Sequence, residues 1–331
     1  MSESVRITSF QTLFQSHPRD LTDHMGHKIA VYGASGLTGT FVAAELAKRG
    51  HTPLPFGRAQ ATANNPTALD HALTGAEAVI NTAGPFAITA LPLLAAAERA
   101  GIPYIDVAAE IEANADTFTR GASIPAVPAM AFFGGLSDLL VTAAMADWPT
   151  ANEAHIAYGL SGWQPSPGTL TAGQVSRDRR EGRRVRFRNG SLNYHNDTPP
   201  TLTWDFPTHT REVIADFSMA DIVTVPSHLQ IPSVTNYMSR EAADGLAAAA
   251  SRQEPETFEI DVRVRRAGEE RRMTASGKDI YAVSAPLAVE AAERLLSGRF
   301  ATTGVASAGA MFDAADFLTA LAPVIQTKHC S

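Results

Sequence analysis

The stretch Lys28-Ile29-Ala30-Val31-Tyr32-Gly33-Ala34-Ser35-Gly36-Leu37-Thr38-Gly39 decides how this chain is read. Its first five residues suit a short buried strand, and a helical pattern continues from Thr40 to Arg49. Gly33, Gly36 and Gly39 therefore fall in the turn between a strand and a helix, the setting in which such glycines bind a dinucleotide. Gly33 permits the tight turn, Gly36 lets backbone approach a pyrophosphate, and Gly39 lets the helix pack closely on the strand. Ser35, Leu37 and Thr38 complete a turn whose free N–H groups and positive dipole end would hold the phosphates.

The next strand selects the cofactor. An acidic residue about 20 positions beyond the glycines would hold the ribose 2′-hydroxyl of NAD. Here His51-Thr52-Pro53-Leu54-Pro55-Phe56 leads into Gly57-Arg58, and no Asp or Glu lies between Glu45 and Asp70. A carboxylate would repel a 2′-phosphate, whereas a guanidinium binds it through paired hydrogen bonds. The expected cofactor is NADP(H), with Arg58 on its 2′-phosphate.

Working outward, Ala78-Val79-Ile80-Asn81 reads as a further strand ending in Thr82-Ala83-Gly84-Pro85-Phe86. A helix over 89–100, a strand at Tyr104-Ile105-Asp106-Val107, a helix around 113–119 and an apolar strand over 126–132 continue the alternation. Such alternation implies an α/β, doubly wound parallel sheet of the Rossmann type with ligands at the carboxyl ends of its strands. Thr82, Ala83, Gly84 and Pro85 stand at one of those ends. Beyond Trp148 the texture changes to strand-like alternation at 154–158, 185–188, 201–206 and 258–264. This predicts an α+β unit on a mainly antiparallel sheet that supplies the substrate pocket. The expected organisation is an extension over 1–25, loosely ordered, a dinucleotide-binding domain over 26–136, and a substrate-binding and dimerisation domain over 137–331. The helix at 285–296 packs on either one.

Composition excludes several classes. A net charge of −7 argues against general nucleic-acid binding. Cys330 is the single cysteine, which rules out an intrachain disulfide scaffold and cysteine-ligated metal. No metal site is expected from the histidines. The most apolar stretch, 124–145, carries Asp138 and the pair Gly134-Gly135, so a buried strand and helix explain it better than a membrane span. No signal peptide is read at the start of the chain, and the expected location is cytoplasmic.

The motifs occur in an order that resembles the saccharopine dehydrogenase-like reductases, a group that includes trans-acting enoyl reductases. The resemblance rests on the glycine turn, Gly57-Arg58, Asn81 to Phe86, and Tyr104-Ile105-Asp106-Val107-Ala108-Ala109-Glu110. That family usually has glycine where this chain has Ala109. Ser166-Pro167-Gly168-Thr169 is similar to its Ser-x-Gly-Thr helix start, and Gly277 to Ala282, Gly304-Val305 and Phe312-Asp313 are similar to its tail. The resemblance implies an NADPH-dependent reductase of enoyl, imine or other acceptors.

Hydride transfer also needs a proton donor beside the acceptor. Tyr104, Asp106 and Glu110 cluster at one strand end. Asp106 or Glu110 orients substrate or relays a proton; alternatively, Asp106 caps a turn and Glu110 caps the next helix. Ser137 or Asp138 reads as an N-cap, with a role facing the nicotinamide as the lesser reading. Tyr158, His155, Tyr194, His195, His209 and His228 are further donors that the sequence does not rank. Ser166 and Thr169 are candidates for substrate contact. The run from Arg177 to Arg188 holds seven arginines in 12 residues. Arg184 and Arg186, on one strand face with Arg188, either receive an anionic or carrier-linked substrate or form a solvated face. A small-molecule substrate and a homodimer are expected. The rival reading is a non-catalytic NADP(H) sensor whose second half binds a partner.

Overall fold

The computed structural model describes residues 26–249 and 254–330. The extension expected over 1–25 lies outside the described residues. From Lys28 the chain alternates as β1 (Lys28–Tyr32), α1 (Leu37–Lys48), β2 (Thr52–Phe56), α2 (Pro66–Ala72), β3 (Ala78–Asn81), α3 (Phe86–Ala100), β4 (Tyr104–Asp106), α4 (Ile111–Arg120) and β5 (Ala126–Val127). These strands form a five-stranded parallel sheet in the order β2-β1-β3-β4-β5. Pro53 and Pro55 lack backbone donors, and β2 is accordingly an edge strand. Strand alternation divides the core. Ala30, Tyr32 and Val79 pack with Leu69, Leu93 and Leu94 of α2 and α3 on one face. Ile29, Val31 and Ile80 face the other way, toward Val42 and Leu46 of α1.

The remaining elements are α5 (Ser137–Met145), β6 (Glu153–Leu160), α6 (Pro167–Arg179), β7 (Arg184–Arg188), β8 (Ser191–His195), β9 (Thr201–Asp205), β10 (Thr210–Ala215), α7 (Asp221–Thr224), β11 (Val234–Ser239), α8 (Arg240–Ala247), β12 (Thr257–Arg266), β13 (Glu269–Lys278), α9 (Ser284–Leu296), α10 (Ala308–Met311), α11 (Ala314–Ala320) and β14 (Gln326–Cys330). Their strands make a nine-stranded sheet with the path β14-β13-β12-β6-β11-β10-β9, to which β7 and β8 attach through β11. All its pairings are antiparallel except β6 with β11. The architecture is thus a Rossmann-type parallel sheet followed by a mainly antiparallel one.

Two features bind the sheets into one frame. The helix α9 follows β13 of the second sheet, yet its Leu287, Ala288, Ala291 and Leu295 share a core with Ile29, Val31 and Ile80 of the first. Arg49 at the end of α1 bridges to Glu290 at 2.8 Å and Glu293 at 2.7 Å on α9. Behind the cleft, the buried Asp221 carboxylate accepts hydrogen bonds from Tyr158, Asn236 and the Gly134 N–H at 2.7, 2.7 and 3.0 Å, and from the Ser137 hydroxyl.

Two local expectations are corrected. The strand expected over 126–132 stops after Val127 because the chain turns at Ala129, whose φ is +54°. The Ala129 N–H is drawn to the Asp106 carboxylate at 2.8 Å instead of continuing the ladder. Neither Ser137 nor Asp138 caps α5. Ser137 bonds Asp221, while Asp138 accepts from His228 at 2.9 Å and from the Gly309 N–H at 2.6 Å.

Candidate functional site

The parallel sheet changes direction between β1 and β3, and a crevice opens at their carboxyl ends. Gly33 leaves β1 with φ +82°, donating its N–H to the Phe56 carbonyl at 2.9 Å. A Cβ at Gly33 would stand 2.9 Å from Ala83, so a side chain there would push the two strand-end loops apart. At Gly39 an added Cβ would lie 2.1 Å from the Gly33 carbonyl oxygen; this glycine serves helix-to-turn packing and does not line the cleft. Gly36 is the N-cap of α1 and no side chain caps the helix, nor does its first turn carry an acid. The N-terminus is left open to an anion.

Around this turn lies a cavity of about 620 Å³, within the range of small-ligand sites. Gly33, Ser35, Gly36, Leu37, Thr38 and Arg58 line one part of it, and Thr82, Ala83 and Gly84 another. Pro85 follows a cis peptide bond from Gly84 and stays off the lining. Arg58 is exposed beyond β2, and no hydrogen bond or ion pair holds it among the described residues. Burial raises the Tyr32 phenol above its ordinary range, and the nearby Arg58 charge pulls the other way.

Opposite the glycine turn, α6 presents Gly168, Thr169, Ala172, Gly173 and Ser176 to the cavity at helical spacing. A Cβ added to Gly84 would lie 3.8 Å from Ala172 and 3.9 Å from the Gly168 carbonyl, so α6 begins directly over the β3 end. Ser166 caps α6, accepting the Thr169 N–H at 3.1 Å. Phe132, Phe133 and Trp163 add apolar lining, with Phe133 and Trp163 ring centres 5.3 Å apart.

The three carboxyl-strand candidates separate. Tyr104 and Asp106 are buried behind the cleft and do not line it. The Tyr104 hydroxyl donates to Asp106 at 2.9 Å and accepts from Asn81 at 3.2 Å, while Asp106 also takes the N–H of Ala108 at 3.0 Å. Burial raises the Asp106 carboxyl above its usual range, against the backbone N–H groups and the Tyr104 hydroxyl that lower it. This network fixes strand-end loops. Glu110 does line the cavity. It stands at the N-cap position of α4, but its side chain caps α3 instead, accepting from Phe86 at 3.1 Å and Ala87 at 3.0 Å. Burial pushes its carboxyl up to about 7; those N–H groups lower it, and the charges of Asp106 and Glu112 add to the rise.

The arginine strand does not reach the cavity. Arg184 is exposed on β7, Arg186 pairs with Asp197 at 2.9 Å, and Arg188 pairs with Asp216 at 3.3 Å. These two acids come from loops after β8 and β10 and neutralise Arg186 and Arg188, while no described acid pairs with Arg184. Arg180, just past α6, does line the cavity, with its Nη1 on Ser176 at 2.9 Å and Glu112 at 3.3 Å. Tyr158, His155, Tyr194, His195, His209 and His228 all lie off this cavity. Trp163, Arg180 and Tyr281 are cleft residues that sequence reasoning did not name as site residues; Arg180 belongs to the arginine run from Arg177 to Arg188, and the stretch containing Tyr281 carried a signal through its likeness to a family tail.

A second cavity of about 760 Å³ lies between α1 and the other sheet, near Glu45, Arg211 and Lys278. It lacks the glycine turn, although Val283, Ala285 and Pro286 at the start of α9 border it, and the smaller cavity, which holds that turn, is the candidate site. Among the described residues no group of three or more His, Cys, Asp or Glu is placed to hold a metal ion. No described helix is long and apolar enough to cross a membrane.

No protein-family model matches the chain, and no curated protein matches it. Among solved structures, it is similar to a DAP dehydrogenase of C. glutamicum in complex with DAP, at 13% identity and a TM-score of 0.45, over 87% of this chain and 94% of that one. An engineered D-amino acid dehydrogenase bound to NADP+ matches at 12% identity and a TM-score of 0.44, over 86% and 94%. A GDP-6-OMe-4-keto-L-xylo-heptose reductase from C. jejuni matches at 17% identity and a TM-score of 0.24, over 26% and 31%. In several matches the chain spans less than half of the solved protein, from 31% to 49% of its length.

Proposed function

We propose that the chain is an NADP(H)-dependent oxidoreductase of the saccharopine dehydrogenase-like type, reducing a C=C or C=N bond of a small intermediate. The observation that carries this reading is the uncapped N-terminus of α1 behind Gly33 and Gly36, with the unpaired Arg58 at the neighbouring strand end. The residues present fit the cofactor. Backbone N–H groups at 37 and 38 would hold the pyrophosphate, the Gly36 N–H being spent on the Gly33 carbonyl, Arg58 the 2′-phosphate, and Thr82 to Gly84 would run beneath the nicotinamide half. A bound nicotinamide supplies a hydride and its two electrons.

Glu110 acts as a positioning residue, because its two backbone bonds fix the loop from Gly84 to Ala87 that carries the cofactor's reactive end. Asp106 and Tyr104 hold the same loops from behind. A second copy of the chain could add along β14, an edge strand of the second sheet. Light scattering checks that expectation.

The test is fluorescence titration with NADPH and NADH. Arg58→Ala is expected to weaken NADPH binding by about tenfold to a hundredfold, the loss of a charge-assisted pair, and to leave NADH unchanged. Equal effects on both nucleotides would remove Arg58 from the 2′-phosphate. No binding of either would remove the oxidoreductase reading.

A further inference from the structure

Three hydroxyl side chains on the α6 side of the cleft form one line of hydrogen bonds. The Tyr281 oxygen lies 3.0 Å from Thr169 Oγ1, which lies 2.9 Å from Ser166 Oγ. The same phenol oxygen accepts the Trp163 indole N–H at 3.2 Å and the Ser166 backbone N–H at 3.1 Å. With those two donors on the phenol oxygen, the geometry allows Tyr281 to donate its own proton to Thr169. Thr169 then passes its proton to Ser166. Ser166 Oγ accepts that hydroxyl and also the Thr169 N–H at 3.1 Å, which fills both of its acceptor positions. In that arrangement the Ser166 proton is not used within the line. All three side chains line the cavity, at the end where α6 crosses Gly84.

Resting on the hydride-transfer reading above, we propose that Ser166 is the catalytic hydrogen-bond and proton donor to the substrate, supplied by Thr169 and Tyr281 as a relay. The site takes a substrate whose reacting bond ends in, or is conjugated to, an acceptor atom without a proton: an imine nitrogen or a carbonyl oxygen. A substrate presenting only donors has no partner there. As the substrate carbon takes the hydride, the π pair moves to the heteroatom and the heteroatom takes the Ser166 proton. Ser166 takes the Thr169 proton and Thr169 that of Tyr281. The charge left on the phenol oxygen is held by the Trp163 and Ser166 N–H groups until water returns a proton. Thr169 and Tyr281 are positioning residues.

The test uses two probes of similar shape: cyclopentanone, an acceptor only, and pyrrolidinium ion, a donor only. Each is titrated into the nitrogen-15-labelled full chain, with and without NADPH. The readout is the Trp163 indole N–H signal, one of three in the chain, assigned with Trp163→Phe. Cyclopentanone is expected to shift that signal saturably and pyrrolidinium to leave it in place. Ser166→Ala is expected to weaken cyclopentanone binding about tenfold while NADPH affinity stays within twofold. Thr169→Val frees an acceptor position on Ser166 and is expected to admit pyrrolidinium, which keeps the proposal testable should Ser166→Ala not fold.

Equal cyclopentanone affinity in wild type and Ser166→Ala, or no response in wild type, overturns the relay. If NADPH does not bind while the Ser166-dependent response persists, the hydride-transfer reading falls and the donor site stands.

Discussion

The two sheets meet the cleft with different chemistry. The parallel sheet offers backbone: Gly33, Gly36 and the loop from Thr82 to Gly84 bring main chain to the cavity, with Arg58 as the one cationic side chain at that edge. The second unit offers side chains: Trp163, Ser166, Thr169, Arg180 and Tyr281, held by a helix and a turn. A backbone site tolerates almost no added atoms, because the chain itself is the ligand-binding surface. A side-chain site depends on bond order along a network and tolerates exchange that preserves donors and acceptors.

The largest effect that would sharpen this contrast is expected at Gly39. Gly39→Ala places a methyl 2.1 Å from the Gly33 carbonyl oxygen, and the rigid backbone must move. NADPH affinity is expected to fall about a hundredfold, with about 1–3 kcal/mol lost in stability through overpacking; titration and thermal melting measure both. A variant with wild-type affinity would break the claim that the turn's backbone geometry is the binding surface.

Glu110 lies between the two sides and is expected to have an intermediate effect. Its carboxyl stays protonated to about pH 7 when folded, whereas the unfolded chain releases that proton near the ordinary glutamate value. The folded state therefore holds more protons between those values. Its contribution to stability is full at acid pH and is lost as pH rises through about 7. Glu110→Gln is expected to flatten the decline in unfolding free energy from pH 5 to pH 8 by about 2 kcal/mol. Denaturant titrations across that range check it; an unchanged slope would place the proton elsewhere.

The smallest effect is expected at Arg186. Its partner Asp197 is exposed, and the pair lies off the cavity. Arg186→Ala should change NADPH affinity by less than twofold and stability by less than about 1 kcal/mol. A large loss of cofactor binding would contradict the division between the unpaired Arg58 and the paired Arg186.

What the sequence revealed follows the same division. The turn at 33–39 was legible because backbone chemistry demands glycine at fixed spacing. The start of α6 was legible too, through the likeness of Ser166-Pro167-Gly168-Thr169 to a family's helix start, and Ser166 does cap it. The relay was not legible: Tyr281 stands 115 residues beyond Ser166, and only the fold brings them together. Glu110 was legible as a cap but not for which helix, because its own backbone starts α4 while its side chain reaches α3. The alternation of Arg184, Arg186 and Arg188 marked a strand; nothing in it disclosed that Asp197 and Asp216 return to meet it.

The placement of α9 bears on the order in which this protein can be made. All five strands of the parallel sheet have been synthesised by residue 127, yet Ile80 and Ile105 share their core with Leu287, Ala288, Ala291 and Ala292, synthesised more than 150 residues later. A nascent chain ending near residue 136 carries the glycine turn, all five parallel strands and a sheet face still without its final cover. Such a face invites aggregation, so the parallel-sheet half completes its core only when nearly the whole polypeptide is available to close it.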